Sequence, residues 1–426
     1  MARDGLILLT GATGYIGGRL IRPLEATGRP LRLLLRDPAR LRPANAPAAF
    51  VPRVSDSTQL LRGDLLEYES LRVAMEGVDT AYYLVHSLGA APDEFREKER
   101  MSARNFARAA REAGVRRIIY LGGLGSSGDT LSAHLASRQD VGALLCESEA
   151  EVIEFRASVI LGSGSISFEM IRALVDHLPV LLTPRWVETL TQPIAVDDVV
   201  AYLVAALDVP TYQRCTVYEV GGEDRVSYGG MMHAYARSQG LRRRMVKMPW
   251  LSPRLSALWL VLVTPLYYRV GRHLLEGLRN ETVVTNDAAA RDFPFIRPMG
   301  VDEAIARALA NEDRQYAETR WSDARSTTPS LRRRVAARVG RRYVDRRTLD
   351  VPASPQKVFA AVLCLGGRKG WYGSTWLYRL RGLLDQLSGG VGSRRGPRAP
   401  GCVIVGANGG FLGGVEVGPA RLRRVA

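Results

Sequence analysis

One stretch near the start of the chain constrains the fold more than any other: Leu6-Ile7-Leu8-Leu9-Thr10-Gly11-Ala12-Thr13-Gly14-Tyr15-Ile16-Gly17-Gly18-Arg19-Leu20. An apolar run suited to a buried strand leads directly into spaced glycines, and an apolar-periodic helix follows. Gly11 suits a tight turn. Gly14 leaves the backbone bare, so that a pyrophosphate can come close. Gly17 lets the helix pack tightly on the strand. The helix start then offers free N–H groups and the positive end of its dipole to phosphates. The spacing therefore predicts the strand–turn–helix opening of a Rossmann fold. Gly11, Thr13, Gly14, Tyr15, Ile16 and Gly17 are the expected dinucleotide contacts.

The rest of the first third keeps that rhythm. Strands are expected at 31–35, 59–65, 79–85 and 115–121, with helices at 67–77 and 93–113 between them. Strands alternating with helices at this spacing predict right-handed βαβ units and an α/β doubly wound parallel sheet. The second strand ends at Arg36-Asp37. A carboxylate here would bond the 2′-hydroxyl of NAD, whereas an arginine accommodates the 2′-phosphate of NADP. Arg36 comes first, so the expectation is NADP(H), with NAD(H) as the alternative if Asp37 makes the contact.

Four motifs together carry a family resemblance. They are Thr10-Gly11-Ala12-Thr13-Gly14-Tyr15-Ile16-Gly17, Gly63-Asp64-Leu65, Arg117-Ile118-Ile119-Tyr120-Leu121 and Gln192-Pro193-Ile194-Ala195-Val196-Asp197-Asp198-Val199. The chain resembles the atypical short-chain dehydrogenase/reductases, in particular the NmrA-like group and the group around the 39-kDa accessory subunit of respiratory complex I. The resemblance covers about residues 5–315. It implies that Asp64 and Leu65 hold the adenine and that residues 84–87 pass near the nicotinamide. It also implies that a small substrate lobe is built mainly from residues 160–315.

The chain departs from that family at its chemistry. The usual proton transfer uses a Tyr-x-x-x-Lys pair, in which lysine lowers the tyrosine pKa. Only four lysines occur, at 98, 247, 357 and 369, and none has a tyrosine four residues earlier. The region expected to carry the pair reads Ser137-Arg138-Gln139-Asp140. Gly122-Gly123 stands where the family places a serine. Candidate substitutes are Tyr82, Tyr83, His86, Ser126, Ser127, His134 and Arg138. His86 is the foremost general-acid candidate, because histidine titrates near neutrality. Arg138 suits oxygen or phosphate binding but not proton donation.

Composition narrows the partners. The net charge is +16, yet most of the excess sits in residues 331–347 and 388–426, away from the expected dinucleotide domain. The reading is a solvated basic linker at 316–342, with no nucleic-acid partner. The cysteines at 146, 215, 364 and 402 lie far apart without a C-x-x-C pair, which predicts a reducing compartment and no structural zinc. With no leader expected, the localisation reading is cytoplasmic. The uncharged stretch 255–268 is shorter than the roughly 20 residues that span a bilayer. It reads as a buried helix or pocket wall in preference to a peripheral membrane contact.

The last part changes character. A strand at 343–351 and a helix at 355–365 resemble the opening of a START-like, helix-grip domain, an α+β segment that the remaining residues are too few to complete. Residues 388–426 hold 11 glycines and one acidic residue. They predict a tail without a packed core, either disordered or the product of a frameshift. Two functional classes follow. One is an NADPH-dependent oxidoreductase acting on a hydrophobic or quinone-like small molecule. The other is a non-catalytic NADP(H) sensor or complex-assembly factor. The oligomeric state is left open.

Overall fold

The computed structural model describes residues 5–38, 41, 54–85, 92–125, 131–248 and 280–313, together with four strands between residues 333 and 424. The first strand, β1 (Leu6–Thr10), is followed by α1 (Tyr15–Glu25), β2 (Leu31–Leu35), β3 (Gln59–Arg62), α2 (Tyr68–Ala74) and β4 (Val78–Tyr83). Then come α3 (Pro92–Glu112), β5 (Arg117–Gly123), α4 (Ala133–Leu145) and β6 (Glu151–Ala157).

The chain next passes through β7 (Ile160–Leu161), α5 (Ile166–His177), β8 (Val180–Thr183), β9 (Leu190–Thr191), β10 (Ile194–Ala195) and α6 (Val196–Ala205). It returns to the main sheet as β11 (Cys215–Val220) before β12 (Val226–Ser227), α7 (Tyr228–Ser238), β13 (Arg244–Lys247), α8 (Ala288–Asp292) and α9 (Val301–Asp313).

Seven strands form one sheet in the order β11-β6-β5-β4-β1-β2-β3, and every neighbouring pair is parallel. This is a Rossmann-like doubly wound α/β fold. Alternation along the strands explains the double winding. Ile7 and Leu9 of β1 face one core, with Leu20, Ile21 and Leu24 of α1 and Val199 and Leu203 of α6. Leu8 faces the other, with Leu71 of α2, Phe106 of α3 and Val141 and Leu145 of α4. A one-residue slip would exchange the two faces, so burial on both sides fixes the register. Strand order changes direction beside β1, and ligands of such sheets bind at the carboxyl ends of the strands there.

A third core joins α5, α7 and α9 through Phe168, Ile171, Tyr235 and Ile305. It occupies much of the stretch expected as the substrate lobe. Two parts of that stretch belong to the main sheet instead: α6 packs beside α1, and β11 supplies the seventh strand.

Three features go beyond the expectations. Cys146 and Cys215 are joined in a disulfide, 69 residues apart in sequence. Pairing of β6 with β11 sets Cys215 opposite Val152, just after the turn that leads out of α4, and so brings the two cysteines together. Within the basic linker, Arg333–Val339 is strand β14, which forms a two-stranded sheet with β15 (Arg342–Thr348). In the glycine-rich tail, β16 (Val415–Gly418) and β17 (Arg421–Arg424) form an antiparallel hairpin. The helix expected at 355–365 and the apolar stretch 255–268 lie outside the described residues. Among the described residues no helix is long and apolar enough to cross a membrane.

Candidate functional site

The turn after β1 shows why each glycine is needed. Gly11 has φ +74°, and a Cβ there would stand 2.5 Å from the Leu84 carbonyl oxygen just beyond β4. A Cβ on Gly17 would lie 2.3 Å from the Gly11 oxygen and 3.1 Å from the Cα of Ala12. Gly11 thus sets the turn and Gly17 sets the close approach of helix to strand. At Gly14 a Cβ would meet only the Gly11 oxygen, at 3.0 Å. The open side of the loop is therefore at Gly14. That residue is the N-cap of α1 and supplies no side-chain cap. The loop presents a bare helix start to the crevice, the arrangement an anion requires.

Thr10 closes the crevice from below. Its hydroxyl donates to the Tyr82 carbonyl at 2.8 Å and accepts from the Leu84 amide at 3.4 Å, holding β1 and β4 together where the loops begin.

Other expected contacts fall around this cradle. Arg36 and Asp37 are exposed at the carboxyl end of β2. Asp64 follows β3 and is half-buried. Its Oδ1 accepts from the Leu66 amide at 3.0 Å, and its own amide donates to Ser70 Oγ at 3.0 Å. The side chain of Leu65 packs in the core with Leu34 and Leu71, and its carbonyl accepts from Asn105 at 3.1 Å. Thr13 and Ile16 lie in the loop and first turn, and Ile16 packs against the core.

Tyr15 points elsewhere. A Cβ on Gly162 would lie 2.5 Å from the Tyr15 hydroxyl, so this side chain reaches the segment after β7. Burial pushes its phenol up, and Arg19 opposes that shift in part. The Arg19 guanidinium lies 4.9 Å from the Tyr15 ring centre and donates to the Ser163 carbonyl at 2.8 Å. Arg19 thus ties the cradle helix to the lobe, a role that nothing in its sequence context announces.

Among the candidate substitutes, His86, Ser126 and Ser127 lie outside the described residues. Tyr82 and Tyr83 are buried in opposite cores. The Tyr82 hydroxyl donates to the Leu203 carbonyl at 2.8 Å, and burial pushes both phenols far up. His134 stands in the first turn of α4, one turn before Arg138. Arg138 is buried against β5. Its Nη2 donates to the Leu121 carbonyl, and its guanidinium lies 4.9 Å over the Tyr120 ring. Ser137 is fully buried and donates to Glu99 at 2.7 Å.

Sheet order and glycine cradle together define a Rossmann-type nucleotide-binding domain. Within that class, residues 11–156 match the family described as NAD(P)H-binding. The match supports a nicotinamide dinucleotide as its ligand.

Among curated relatives, a ceramide reductase of Caulobacter vibrioides is 27% identical over 254 residues, covering 58% of this chain and 76% of that protein. Cinnamoyl-CoA reductase 1 of Petunia hybrida is 29% identical over 121 residues, covering 28% of this chain. The chain spans only 36% of that reductase's length. A nucleoside-diphosphate-sugar epimerase from Staphylococcus aureus has the same fold, with a TM-score of 0.55 at 16% identity, covering 70% of this chain and 99% of the epimerase.

Proposed function

We propose that this chain is an atypical short-chain dehydrogenase/reductase that binds NADP(H) at the β1–α1 cradle and reduces a hydrophobic or quinone-like acceptor. The observation that carries the reading is the cradle itself, closed by backbone at Gly11 and Gly17 and open at Gly14. In this reading Gly11, Thr13, Gly14, Tyr15, Ile16 and Gly17 hold the pyrophosphate through the loop and helix start. Asp64 and Leu65 hold the adenine. Arg36 holds the 2′-phosphate, so that NADPH binds more tightly than NADH. The bound cofactor supplies the hydride, and the chain supplies orientation and a proton. His86 is the proton donor that the sequence nominates. The names of the two curated relatives, both reductases, support a reduction.

The missing Tyr-x-x-x-Lys pair favours a second reading, a sensor or assembly factor that binds NADP(H) without chemistry. One experiment separates them. NADPH binding is followed by its fluorescence, and NADPH oxidation is screened against quinones, enones and aldehydes. The reductase reading expects binding and turnover, with His86→Phe slowing the rate on the order of 10². Tight binding without turnover selects the sensor. Absence of NADPH binding overturns both.

A further inference from the structure

β5 outruns β4, which ends at Tyr83. The last register pair between them is Tyr83 with Tyr120. On its other side β5 stays paired with β6 as far as Gly123 opposite Ala157. At the carboxyl end β5 therefore runs past its last β4 partner from Leu121 to Gly123, and the Leu121 carbonyl stands on that stretch. A side chain meets that carbonyl: Arg138, from the second turn of α4, donates to it through Nη2. A Cβ at Gly123 would press on Leu135 Cδ2 at 2.8 Å and lie in ordinary contact, 3.9 Å, with Arg138 Cγ, so the arginine stem runs directly over this glycine. The Tyr120 hydroxyl donates back to the Arg138 carbonyl at 2.8 Å, which fixes helix against strand.

The guanidinium is thus held by the Leu121 carbonyl and the Tyr120 ring, yet it is incompletely used. Arg138 is only 8% exposed, and its Nη1 has no hydrogen-bond partner among the described residues. Burial works against its charge, but Tyr120, Glu99, Tyr83 and Glu154 outweigh that effect and the charge is kept. A buried charged N–H without an acceptor is uncommon in a native fold, and it marks a place that something else completes. Its position says what that is. A dinucleotide at a Rossmann switch point lies across the crevice, one nucleotide on each side. Arg36 ends β2, on the adenosine side. Arg138 lies on the other side, over β4 and β5.

We propose that Arg138 binds a ligand oxygen in the nicotinamide half of the site, with Nη1 donating to it. The oxygen comes either from the nicotinamide nucleotide or from the acceptor being reduced. The inference rests on the dinucleotide reading above. Arg138 is always charged and donates hydrogen bonds without giving up a proton, so its role is to anchor and polarise, and proton donation falls to another group.

The test uses the full chain with Arg138→Met, which keeps length and removes the donors, and Arg138→Lys, which keeps the charge. NADPH and 2′,5′-ADP are titrated separately, and NADPH oxidation by menadione is followed. If the oxygen belongs to the nucleotide, Arg138→Met weakens NADPH at least tenfold and leaves 2′,5′-ADP within twofold. If it belongs to the acceptor, both affinities hold and the KM for menadione rises at least tenfold. Unchanged NADPH affinity and unchanged menadione kinetics, including no turnover by either protein, overturn the proposal. Should Arg138→Met also lose 2′,5′-ADP, the fold has suffered, and the NADPH-to-2′,5′-ADP ratio in Arg138→Lys decides by the same criteria. A wild type that binds neither nucleotide overturns the dinucleotide reading, which separates that failure from this one.

Discussion

The two ends of the main sheet use arginine in opposite ways. At the amino end, Arg116 pairs with Asp79 at 2.8 Å and Glu151 at 3.2 Å. Arg117 bonds Glu151 at 2.8 Å and the carbonyls of Ala206 and Leu207 at 2.7 and 3.0 Å. Arg32 of β2 similarly serves the carbonyls of Ala74 and Glu76. These guanidinium groups tie off strand starts and helix ends. At the carboxyl end the loop is bare backbone at Gly14, and Arg138 keeps an unsatisfied N–H. At the amino end these guanidinium groups find their acceptors within the fold. Among the described residues the carboxyl end has donors left over, which the proposed ligand would take up. In the proposed complex the chain's positive charge thus serves structure at one end and recognition at the other.

The sharpest way to break this comparison is within the cradle. Gly14→Asp places a carboxylate on the open side of the loop, where phosphate oxygens belong. NADPH affinity should fall more than 100-fold while the melting temperature stays near wild type. Gly17→Ala puts a methyl 2.3 Å from backbone that cannot yield. It should lower stability by about 1–3 kcal/mol, as overpacking against a fixed neighbour does. Fluorescence titration and thermal melts on both variants check the pair. Equal NADPH affinity in wild type and Gly14→Asp would remove the cradle from the binding site.

How much of this was legible in sequence follows from how local each feature is. The cradle is written in consecutive residues, because its geometry is a backbone requirement met only by glycine at given spacings. The alternation of strands and helices was legible for the same reason. Arg138 was visible only as one candidate among several. Its significance needs β5 to run on past the end of β4 at Tyr83, a long-range fact. The Cys146–Cys215 bridge likewise depends on β6 and β11 lying side by side. Spacing along the chain says nothing of that. The pairing of β14 with β15 is likewise not visible in the run of arginines before Val339.

A smaller effect sharpens the contrast at the edge of the carboxyl end. In the proposed complex Arg36 meets the 2′-phosphate through a charge-assisted hydrogen bond, about twice as strong as a neutral one. Being exposed at the end of β2, it is open to screening by salt. Arg36→Ala should reduce the preference for NADPH over NADH by roughly tenfold, with NADH affinity unchanged. Titrating both nucleotides at low and high salt checks this, since the preference should also shrink in wild type as salt rises. A wild type that prefers NADH would assign the ribose contact to Asp37.

The smallest expected effect lies at the amino end and carries a pH signature. Partial burial disfavours the charged form of Glu151. The hydrogen bond and charge of Arg117, with the charge of Arg116, outweigh that effect and hold its carboxyl below the usual glutamate range. A carboxylate with a depressed folded-state pKa stabilises the fold above its unfolded pKa. That contribution is lost as pH falls through the depressed value. The Glu151 side chain is 39% exposed, so solvent weakens the pair. Glu151→Gln should therefore cost about 1 kcal/mol at pH 7, a few degrees in melting temperature, and the two proteins should converge in acid. NADPH affinity should not change, because Glu151 begins β6 at the end of the sheet opposite the cradle. A pH-independent difference would mean that packing accounts for the loss. A loss of NADPH affinity would mean that the two ends are coupled, and the division between structural and ligand-directed arginines would fail.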